Sequence, residues 1–451
     1  MRHFLEGEKG GKMLNKFMSN CHKNIEICLK DLGHDFKIDS KIKGQIFQIK
    51  DITLPHKHFI FNYDLAGRLL SIELGDMYRA RTIKVLERSF NGNVYIYLKN
   101  CENFKSIDEP VNYYYDYYND TVVRDEKISH SFIQYAHQIV DEILKHQHLV
   151  QFKNISDEMS KIILTDILKL YSYEKLEKNT LFKMAYPKDI TVLPPDVRPD
   201  LNPSFCVVQI THGCWVKQTK GPCAFCDAYS KIGYGELNLD EFAAHIENVK
   251  TYCGRDWQNK RYFFLSDGDP LKTKISTELY FDIMHQKIHQ IEGIQSFVTT
   301  STILSKDVNT WNKLKDMGLN RLYWGVESAD DFVLKFLHKP QTNSALYRAA
   351  EQLKQAQMPY TIIIMSGLGN FEVSSDKQNN HIKYTVDFIN QSSCDEVYVS
   401  KFKSIVGTII HRNLSEGVLI DSKRMDTEDE HRTIIANLNK RVKGSYGAQF
   451  V

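Results

Sequence analysis

Six short apolar or β-branched runs in the second half of the chain, separated by helical patterns, constrain the fold more than any other feature. The runs are FCVVQIT (205–211), RYFFLS (261–266), QSFVTT (295–300), RLYWGV (321–326), YTIIIM (360–365) and EVYVS (396–400). In DVNTWNKLKDMG, one of the segments between them, Trp311, Leu314 and Met317 recur every third residue, and the glycine that follows can end a helix. This alternation predicts parallel strands joined by crossover helices, so the second half should form a barrel or a doubly wound sheet of six βα units.

A proline-rich connector precedes this series, with five prolines between residues 187 and 203. Before the connector the patterns are mixed. They predict a helix over 13–34, an antiparallel meander in FIFNYDLAGRLLSIEL and around the Asn91-Gly92-Asn93 turn, and a helix in HSFIQYAHQIVDEILKH. The expected organisation is a mixed α+β domain over 1–190, an α/β core over 191–410 and a C-terminal extension over 411–451.

The charge balance and the absence of long apolar runs limit the class of protein. Lys and Arg total 58 against 56 Asp and Glu, so the net charge of +2 gives no overall signal for nucleic acid or an anionic membrane. No run approaches the roughly 18 apolar residues of a membrane span, and the charged start MRHFLEGEKGGK is unlike a signal peptide, which predicts a cytoplasmic protein. Its nine cysteines are therefore expected to be free, metal-binding or catalytic rather than paired in disulfides.

Three cysteines, Cys214, Cys223 and Cys226, follow the first predicted strand. A structural zinc site would need a fourth ligand, for which His212 is the nearby candidate, although its spacing is strained. A second interpretation takes Cys223 and Cys226 as an accidental or redox pair. A third is a [4Fe–4S] cluster held by three thiolates, whose fourth iron stays open for another ligand.

Polar and glycine residues follow every one of the six strands, at the edge where parallel α/β folds place their chemistry. They are the cysteine triplet and residues 266–270, 299–301, 325–328, 366–369 and 400–401. Any single loop of this kind is ordinary, because loops are commonly polar and rich in glycine. The coincidence of all six with a cysteine triplet favours a functional site at this edge.

The glycine-cysteine opening after the first strand, closed by Cys-x-aromatic-Cys, resembles the radical S-adenosylmethionine (radical SAM) superfamily. FFLSDGDPL (263–271) is similar to its Gly-Gly-Glu-Pro segment, LKDMGLNRLYWGVESADDFVLKFLHKP (314–340) to its G-x-x-R-[LV]-x-x-G-x-E-S segment, and SGLGN (366–370) to its glycine-rich turn. The family usually has three residues between the first two cysteines, whereas residues 215–222 make eight here. The resemblance covers about residues 195–410 and implies a partial (βα)6 barrel.

The same resemblance implies that Cys214, Cys223 and Cys226 hold a [4Fe–4S] cluster whose open iron binds the amine and carboxylate of S-adenosylmethionine (SAM). The residues it implies for SAM binding are Phe225, Ser266, Asp267, Gly268, Asp269, Ser301 and Glu327. Residues 266–269 would receive the methionine amino group, while Ser301 and Glu327 are candidates for the ribose and amino-acid ends. The plainer alternatives are core packing for Phe225 and a salt bridge from Glu327 to a lysine or to Arg321.

The expected function is an oxygen-sensitive radical SAM enzyme that abstracts hydrogen from a substrate the sequence does not identify. Such an enzyme needs an electron donor such as flavodoxin or ferredoxin. Two other classes stay open at this point: a zinc-stabilised binding module, and an inactive partner subunit on the same α/β scaffold. Residues 1–190, where no ligand constellation is found, are expected to bind substrate or a partner and to cover the open side of the barrel.

Overall fold

The computed structural model of the protein describes residues 204–228, 232–372, 380–421 and 427–443, together with strands and shorter pieces of the N-terminal half. The chain divides into two compact units, Met1–Met184 with Lys250–Asn259, and Ala185–Val249 with Lys260–Val451. The role predicted for the N-terminal half stays a prediction. No helix in the described part of the chain combines the length and the hydropathy of a membrane span.

The first unit contains an antiparallel sheet of eight strands. They are β1 (Glu26–Leu29), β2 (Ile38–Lys43), β3 (Ile46–Asp51), β4 (Lys57–Asp64), β5 (Leu69–Asp76), β6 (Arg81–Arg88), β7 (Val94–Ile96) and β8 (Val150–Lys153). The spatial order is β7-β6-β5-β4-β3-β2-β1-β8, so successive strands from β1 to β7 are neighbours. Phe61 of β4 lies opposite Ile72 of β5, and both side chains are fully buried. The predicted meander is therefore confirmed and is longer than expected.

The predicted helix over 13–34 is wrong at Glu26–Leu29, which forms strand β1. Ile27 pairs with Ser40 on one side and with Phe152 on the other. Pairing with a strand that is distant in sequence overrides the local helical pattern, because strand formation depends more on neighbouring strands than on intrinsic preference. The helix predicted in HSFIQYAHQIVDEILKH is present where the structure describes it, and it buries Ala136, Val140 and Ile143 at helical spacing.

The second unit contains a parallel sheet of seven strands and two small antiparallel pairs. Its strands are β9 (Phe205–Val208), β10 (Thr211–His212), β11 (Gly235–Glu236), β12 (Tyr262–Leu265), β13 (Gly293–Val298), β14 (Leu319–Glu327), β15 (Tyr360–Ser366), β16 (Phe371–Glu372), β17 (Glu396–Lys401), β18 (Ile420–Asp421) and β19 (Arg441–Val442). The sheet has the order β19-β17-β15-β14-β13-β12-β9, and all of its pairs are parallel. All six predicted strands are present, and β19 adds a seventh from the C-terminal segment.

Helices join the parallel strands as the alternation predicts. They are α1 (Trp215–Lys220), α2 (Leu239–Cys253), α3 (Thr277–Lys287), α4 (Thr300–Ser305), α5 (Val308–Asp316), α6 (Asp331–Phe336), α7 (Asn343–Gln355), α8 (His381–Gln391), α9 (Ile409–Ser415) and α10 (Thr427–Asn437). The start of α5 shows the local cause, because the Asp307 carboxylate accepts a hydrogen bond from the Thr310 backbone N–H at 2.8 Å. Trp311 and Leu314 are the buried residues of this helix, and Gly318 follows it with φ +96°.

The two faces of the parallel sheet carry different layers of the core. On one face, the ring of Phe264 lies 5.1 Å from that of Phe297 and 5.8 Å from that of Tyr323. On the other, Trp324 packs edge-on against Phe388 of α8, and its indole N–H donates to Thr300 of α4 at 3.0 Å. Tyr323 and Trp324, which are adjacent in β14, thus pack on opposite faces of the sheet, as the alternation of side chains along a strand requires.

Candidate functional site

The long spacing between the first two cysteines is taken up by a helix. Cys214 lies directly before α1, which ends at Lys220 and is followed by Gly221 with φ +85°. A helix advances only about 1.5 Å per residue, less than half the rise of an extended chain. The helix therefore shortens the span that the eight intervening residues cover, and Cys214 remains close enough to Cys223 to raise the pKa of its thiol.

The turn that carries Cys223 and Cys226 is held from both sides by backbone hydrogen bonds. The Cys226 N–H donates to the Cys223 carbonyl at 3.1 Å. Between the two cysteines, the Ala224 N–H donates to the Leu337 carbonyl at 2.8 Å, and the Ala224 carbonyl accepts from the Ile410 N–H at 2.9 Å. Since Ala224 is also fully buried, the segments after α6 and at the start of α9 fix the position of this turn.

The three thiols are close enough to influence one another electrostatically. Burial raises the pKa of Cys214 and of Cys223, and it raises the pKa of Cys226 to about 12, where Cys223 and Cys214 add to the effect. The Lys339 ammonium lowers the pKa of all three thiols. Three thiolates at this place consequently need positive charge, which metal ions supply when they bind sulfur.

Lys339 is that nearby cation; it lies in the segment 314–340 but was not among the residues expected to bind SAM. Its ammonium lies 3.2 Å from a carboxylate oxygen of Glu327 and donates to the Gly325 carbonyl at 3.1 Å. Burial alone would lower the pKa of Lys339, but Glu327, Cys223 and Cys214 together raise it. The salt-bridge alternative for Glu327 therefore holds with Lys339.

Arg321, the other partner considered for Glu327, lies at the opposite end of β14. It pairs with Glu396 at 3.0 Å and donates to Thr361 at 2.9 Å. Lys443 adds a second contact to Glu396 at 2.7 Å. These charges belong to the amino-end edge of the parallel sheet, away from the three cysteines.

The loop after β12 is hydrogen-bonded to the loop that carries Cys214. The Gly268 N–H donates to the Gly213 carbonyl at 3.2 Å, and the Gly213 N–H donates to Asp267 Oδ2 at 3.1 Å. Gln209 donates to the same Asp267 oxygen at 3.2 Å. Burial raises the pKa of Asp267 well above its ordinary value, against the opposing effect of these two donors. This carboxylate therefore joins the first two strand ends.

Asp269 is held more tightly, by three donors on one oxygen. Its Oδ2 accepts from Thr299 at 2.5 Å, from Thr302 at 2.7 Å and from the Trp215 indole at 3.2 Å. Burial raises the pKa of Asp269, whereas the hydrogen bonds from Thr299, Thr302 and Trp215 lower it. Thr299 belongs to the polar group 299–301 expected at this edge, whereas Thr302 and Trp215 were not selected from the sequence, because their approach to Asp269 depends on how three separate segments pack.

Three buried oxygens of this loop have no hydrogen-bond partner within the described part of the chain: Ser266 Oγ, Asp267 Oδ1 and Asp269 Oδ1. Buried polar atoms in folded proteins are nearly always paired. Three such atoms on four successive residues, beside Cys214, therefore fit a ligand that donates hydrogen bonds, as an ammonium group does.

The remaining candidates lie at the edge of this arrangement. Ser301 Oγ is 3.0 Å from Thr299 Oγ1, so it contacts the group that orients Asp269. Phe225 is half-buried and packs against an apolar cluster, as its plainer interpretation requires. This cluster consists of Ala224, Val333, Leu337, Met365, Leu368, Phe371, Ile410 and Leu419.

The glycine-rich turn after β15 is occupied by a carboxylate from the C-terminal segment. Glu430 of α10 accepts hydrogen bonds from the backbone N–H groups of Gly367, Leu368 and Gly369, at 2.6, 3.1 and 3.0 Å. Glu430 is fully buried. Glu430 was not among the expected site residues, because it lies some sixty positions after the turn that it binds.

His212, considered as a fourth zinc ligand, lies against Gly235 of the neighbouring strand. A Cβ on Gly235 would stand 2.3 Å from His212 Nε2. Within the described residues, no group of three or more His, Cys, Asp or Glu side chains is arranged to hold a single metal ion. A four-iron cluster makes a different demand, because each thiolate binds a different iron.

Replacing Gly268 by Ala is expected to lower the iron and sulfide that the protein binds. An added Cβ would stand 2.9 Å from Cys214 Sγ, closer than real Cβ atoms approach, so the thiol has to move. Iron and acid-labile sulfide after anaerobic reconstitution measure the effect. The matched control is Gly233→Ala, where nothing lies within 4 Å of the added Cβ. Equal cluster content in both variants would show that Cys214 tolerates displacement.

One family model matches part of the chain. A sequence model of the radical SAM superfamily matches residues 208–373. No curated protein sequence matches the chain significantly. Among solved structures, methylornithine synthase has a TM-score of 0.37 and 16% identity over 53% of this chain and 63% of its own. Coproporphyrinogen III oxidase from Escherichia coli has a TM-score of 0.37 and 13% identity over 51% of this chain and 50% of its own. The chain thus spans less than two thirds of the length of either structure.

Proposed function

Because the chain belongs to the radical SAM superfamily, we propose that Cys214, Cys223 and Cys226 each supply one thiolate to its [4Fe–4S] cluster and that the loop after β12 binds SAM. Enzymes of this superfamily use both cofactors. What the proposal adds is the assignment of ligands and the side chains that receive the cofactor.

The unpaired oxygens beside Cys214 carry this proposal. Gly268 stands against Cys214, so the chain segment with Ser266 Oγ, Asp267 Oδ1 and Asp269 Oδ1 runs past the first cluster ligand. SAM carries an amino group, and an unpaired carboxylate oxygen is a natural acceptor for its N–H donors. Asp269 is the best acceptor of the three, because three donors already fix its other oxygen.

Lys339 and Glu327 supply the second half of the site. The buried Lys339 ammonium offsets the negative charge of three thiolates, as its effect on their pKa values indicates. It also suits an anionic group such as a carboxylate. Glu327 holds Lys339 in place at 3.2 Å, and this ion pair keeps the cation buried.

When bound, the cluster and SAM supply a 5′-deoxyadenosyl radical by reductive cleavage of the sulfonium, and the proposed use of that radical is hydrogen abstraction from the substrate. The residues of this chain bind, orient and shield. Asp269 accepts a hydrogen bond from the amino group, Lys339 balances negative charge, and the apolar cluster around Phe225 excludes water from one side of the cysteine turn. Enzymes of this class need a reductant, for which we propose a flavodoxin or a ferredoxin.

Reductive cleavage of SAM by the full-length protein is the experiment that tests this function. After anaerobic reconstitution we expect about four iron and four sulfide per chain, and release of 5′-deoxyadenosine when dithionite and SAM are added. Zinc without acid-labile sulfide would establish the zinc-stabilised module instead. A full cluster that leaves SAM intact would identify an inactive partner subunit.

Asp269→Ala is expected to weaken SAM binding while leaving the cluster in place. The variant removes the carboxylate that accepts from the SAM amino group, and hydrogen bonds to charged groups contribute about 1.5–3 kcal/mol, so affinity should fall by roughly one to two orders of magnitude. Equilibrium binding to the reconstituted protein measures this. The control is Asp240→Ala, an exposed acidic residue in the first turn of α2. Unchanged SAM affinity in Asp269→Ala would remove Asp269 from the site.

A further inference from the structure

The eight residues between the first two cysteines place an aromatic side chain on the SAM-binding loop. Trp215 is the first residue of α1 and follows Cys214 directly. Its indole N–H donates to Asp269 Oδ2 at 3.2 Å, although 54 positions separate the two residues. The insertion thus contributes a contact to the loop after β12, in addition to spanning the distance to Cys223.

A second contact holds the Trp215 ring in this position. The Lys272 ammonium lies 5.3 Å from the ring centroid, within the range of a cation–π interaction. The backbone at Lys272 is itself fixed, because its carbonyl accepts a hydrogen bond from the Tyr234 hydroxyl at 2.8 Å. The ring is consequently attached to the β12 loop both at Asp269 and at Lys272.

The three donors on Asp269 belong to two segments of the chain and bind the same oxygen. Thr299 follows β13 directly and Thr302 lies in α4, whereas Trp215 belongs to the insertion. A carboxylate with one oxygen held by three donors cannot rotate freely about its terminal bond. Its other oxygen, Oδ1, is buried and without a partner in the described part of the chain.

We propose that Trp215 is a positioning residue for SAM, which sets the orientation of Asp269 from within the cluster-binding segment. This inference rests on the proposed function, because it takes Asp269 Oδ1 as the acceptor of a hydrogen bond from the SAM amino group. The insertion therefore couples the cluster loop to cofactor affinity. Removing the indole N–H frees Asp269 Oδ2 on one side without touching a thiolate.

The test compares Trp215→Phe with the unmodified full-length protein after reconstitution. Phe keeps an aromatic ring but lacks the N–H, so we expect about tenfold weaker SAM binding, as for the loss of one hydrogen bond to a charged group. Iron and sulfide content should be unchanged. The change that SAM causes in the electron paramagnetic resonance spectrum of the reduced cluster should require correspondingly more SAM. Gln218→Ala, an exposed position on the same helix, should bind SAM normally.

A double-mutant cycle separates positioning from general support of the fold. If Trp215 acts through Asp269, Trp215→Phe should have no further effect once Asp269 is Ala. Thr302→Val, which removes another donor from the same oxygen, should weaken SAM binding with the cluster intact, and it decides the matter if the double variant binds too weakly to titrate.

The outcomes that overturn the inference differ from those that overturn the function. A protein that neither loads a cluster nor binds SAM refutes the proposed function itself. If the unmodified protein does both, then normal affinity in Trp215→Phe refutes the positioning role. Loss of iron in Trp215→Phe, or an equal effect of this change in the Asp269→Ala background, would assign Trp215 to the cluster loop alone.

Discussion

Replacement of Cys214, Cys223 or Cys226 by Ala, each singly, is expected to abolish the visible iron–sulfur absorbance and all reductive cleavage of SAM. Under the proposed assignment each cysteine is the sole protein ligand of one iron, so no remaining thiolate can compensate. The measurement is the absorbance spectrum together with iron and sulfide content after anaerobic reconstitution. Cleavage should fall to background because the electron no longer has a route to the sulfonium.

Two buried cysteines serve as controls for this experiment. Cys206 and Cys394 are almost fully buried, and the proposal gives neither a role in the cluster. Ala at either position should leave the cluster spectrum unchanged and cost only a modest amount of stability, since a small side chain is shortened in the core. A full cluster in Cys214→Ala would show that Cys214, at the start of the helical insertion, is not a cluster ligand. Cluster loss in Cys206→Ala would identify Cys206 as the first ligand instead.

Lys339→Met is expected to destabilise the protein and to lower its cluster content. The side chains of Lys339 and Glu327 are 13% and 11% exposed, so the variant leaves a nearly buried carboxylate without its cation. Breaking a buried ion pair on one side costs about 3–5 kcal/mol. The three thiolates lose their nearby positive charge at the same time, which should weaken cluster binding. Denaturant unfolding of the cluster-free protein and iron content after reconstitution measure the two effects separately.

A second variant distinguishes stability from charge balance. Glu327→Gln combined with Lys339→Met removes both charges and should recover most of the lost stability, while cluster content stays low. The surface pair of Lys354 and Glu351, 3.9 Å apart and 66% and 57% exposed, provides the control, because Lys354→Met should cost at most about 1 kcal/mol. Full cluster loading and ordinary SAM affinity in Lys339→Met would show that Lys339 has no part in the site.

Apolar periodicity and turn residues were enough to predict the strands and helices of the parallel half of the fold. All six runs selected for strand character pair in parallel, and the helix that begins after Asp307 buries Trp311 and Leu314 as its spacing predicts. These are local properties, since the apolar period that indicates a strand or an amphipathic helix can be read within about ten residues. The same reasoning failed at Glu26–Leu29, where pairing with two other strands determines the structure.

Some residues of the candidate site could likewise be predicted from short sequence patterns, and others only from contacts between distant segments. The cysteine triplet, the Asp267-Gly268-Asp269 segment and Glu327 could be selected from the sequence because each belongs to a short pattern next to a predicted strand. The sequence does not predict the contacts that Lys339, Trp215 and Glu430 make. A lone lysine, tryptophan or glutamate is usually structural or solvated, and nothing near it in sequence marks its partner.

By itself, the sequence determined the parallel α/β architecture, the position of a thiol-rich loop at a strand end and the resemblance to one superfamily. These properties depend on residue order over short stretches, where apolar period, glycine placement and cysteine spacing act directly. Only the tertiary structure decided that a helical insertion places Trp215 on Asp269, that Lys339 lies among the thiols with Glu327, and that Glu430 fills the glycine-rich turn. The reason is that each of these contacts joins segments from 12 to 63 positions apart, and their distances depend on how packed helices and strands meet.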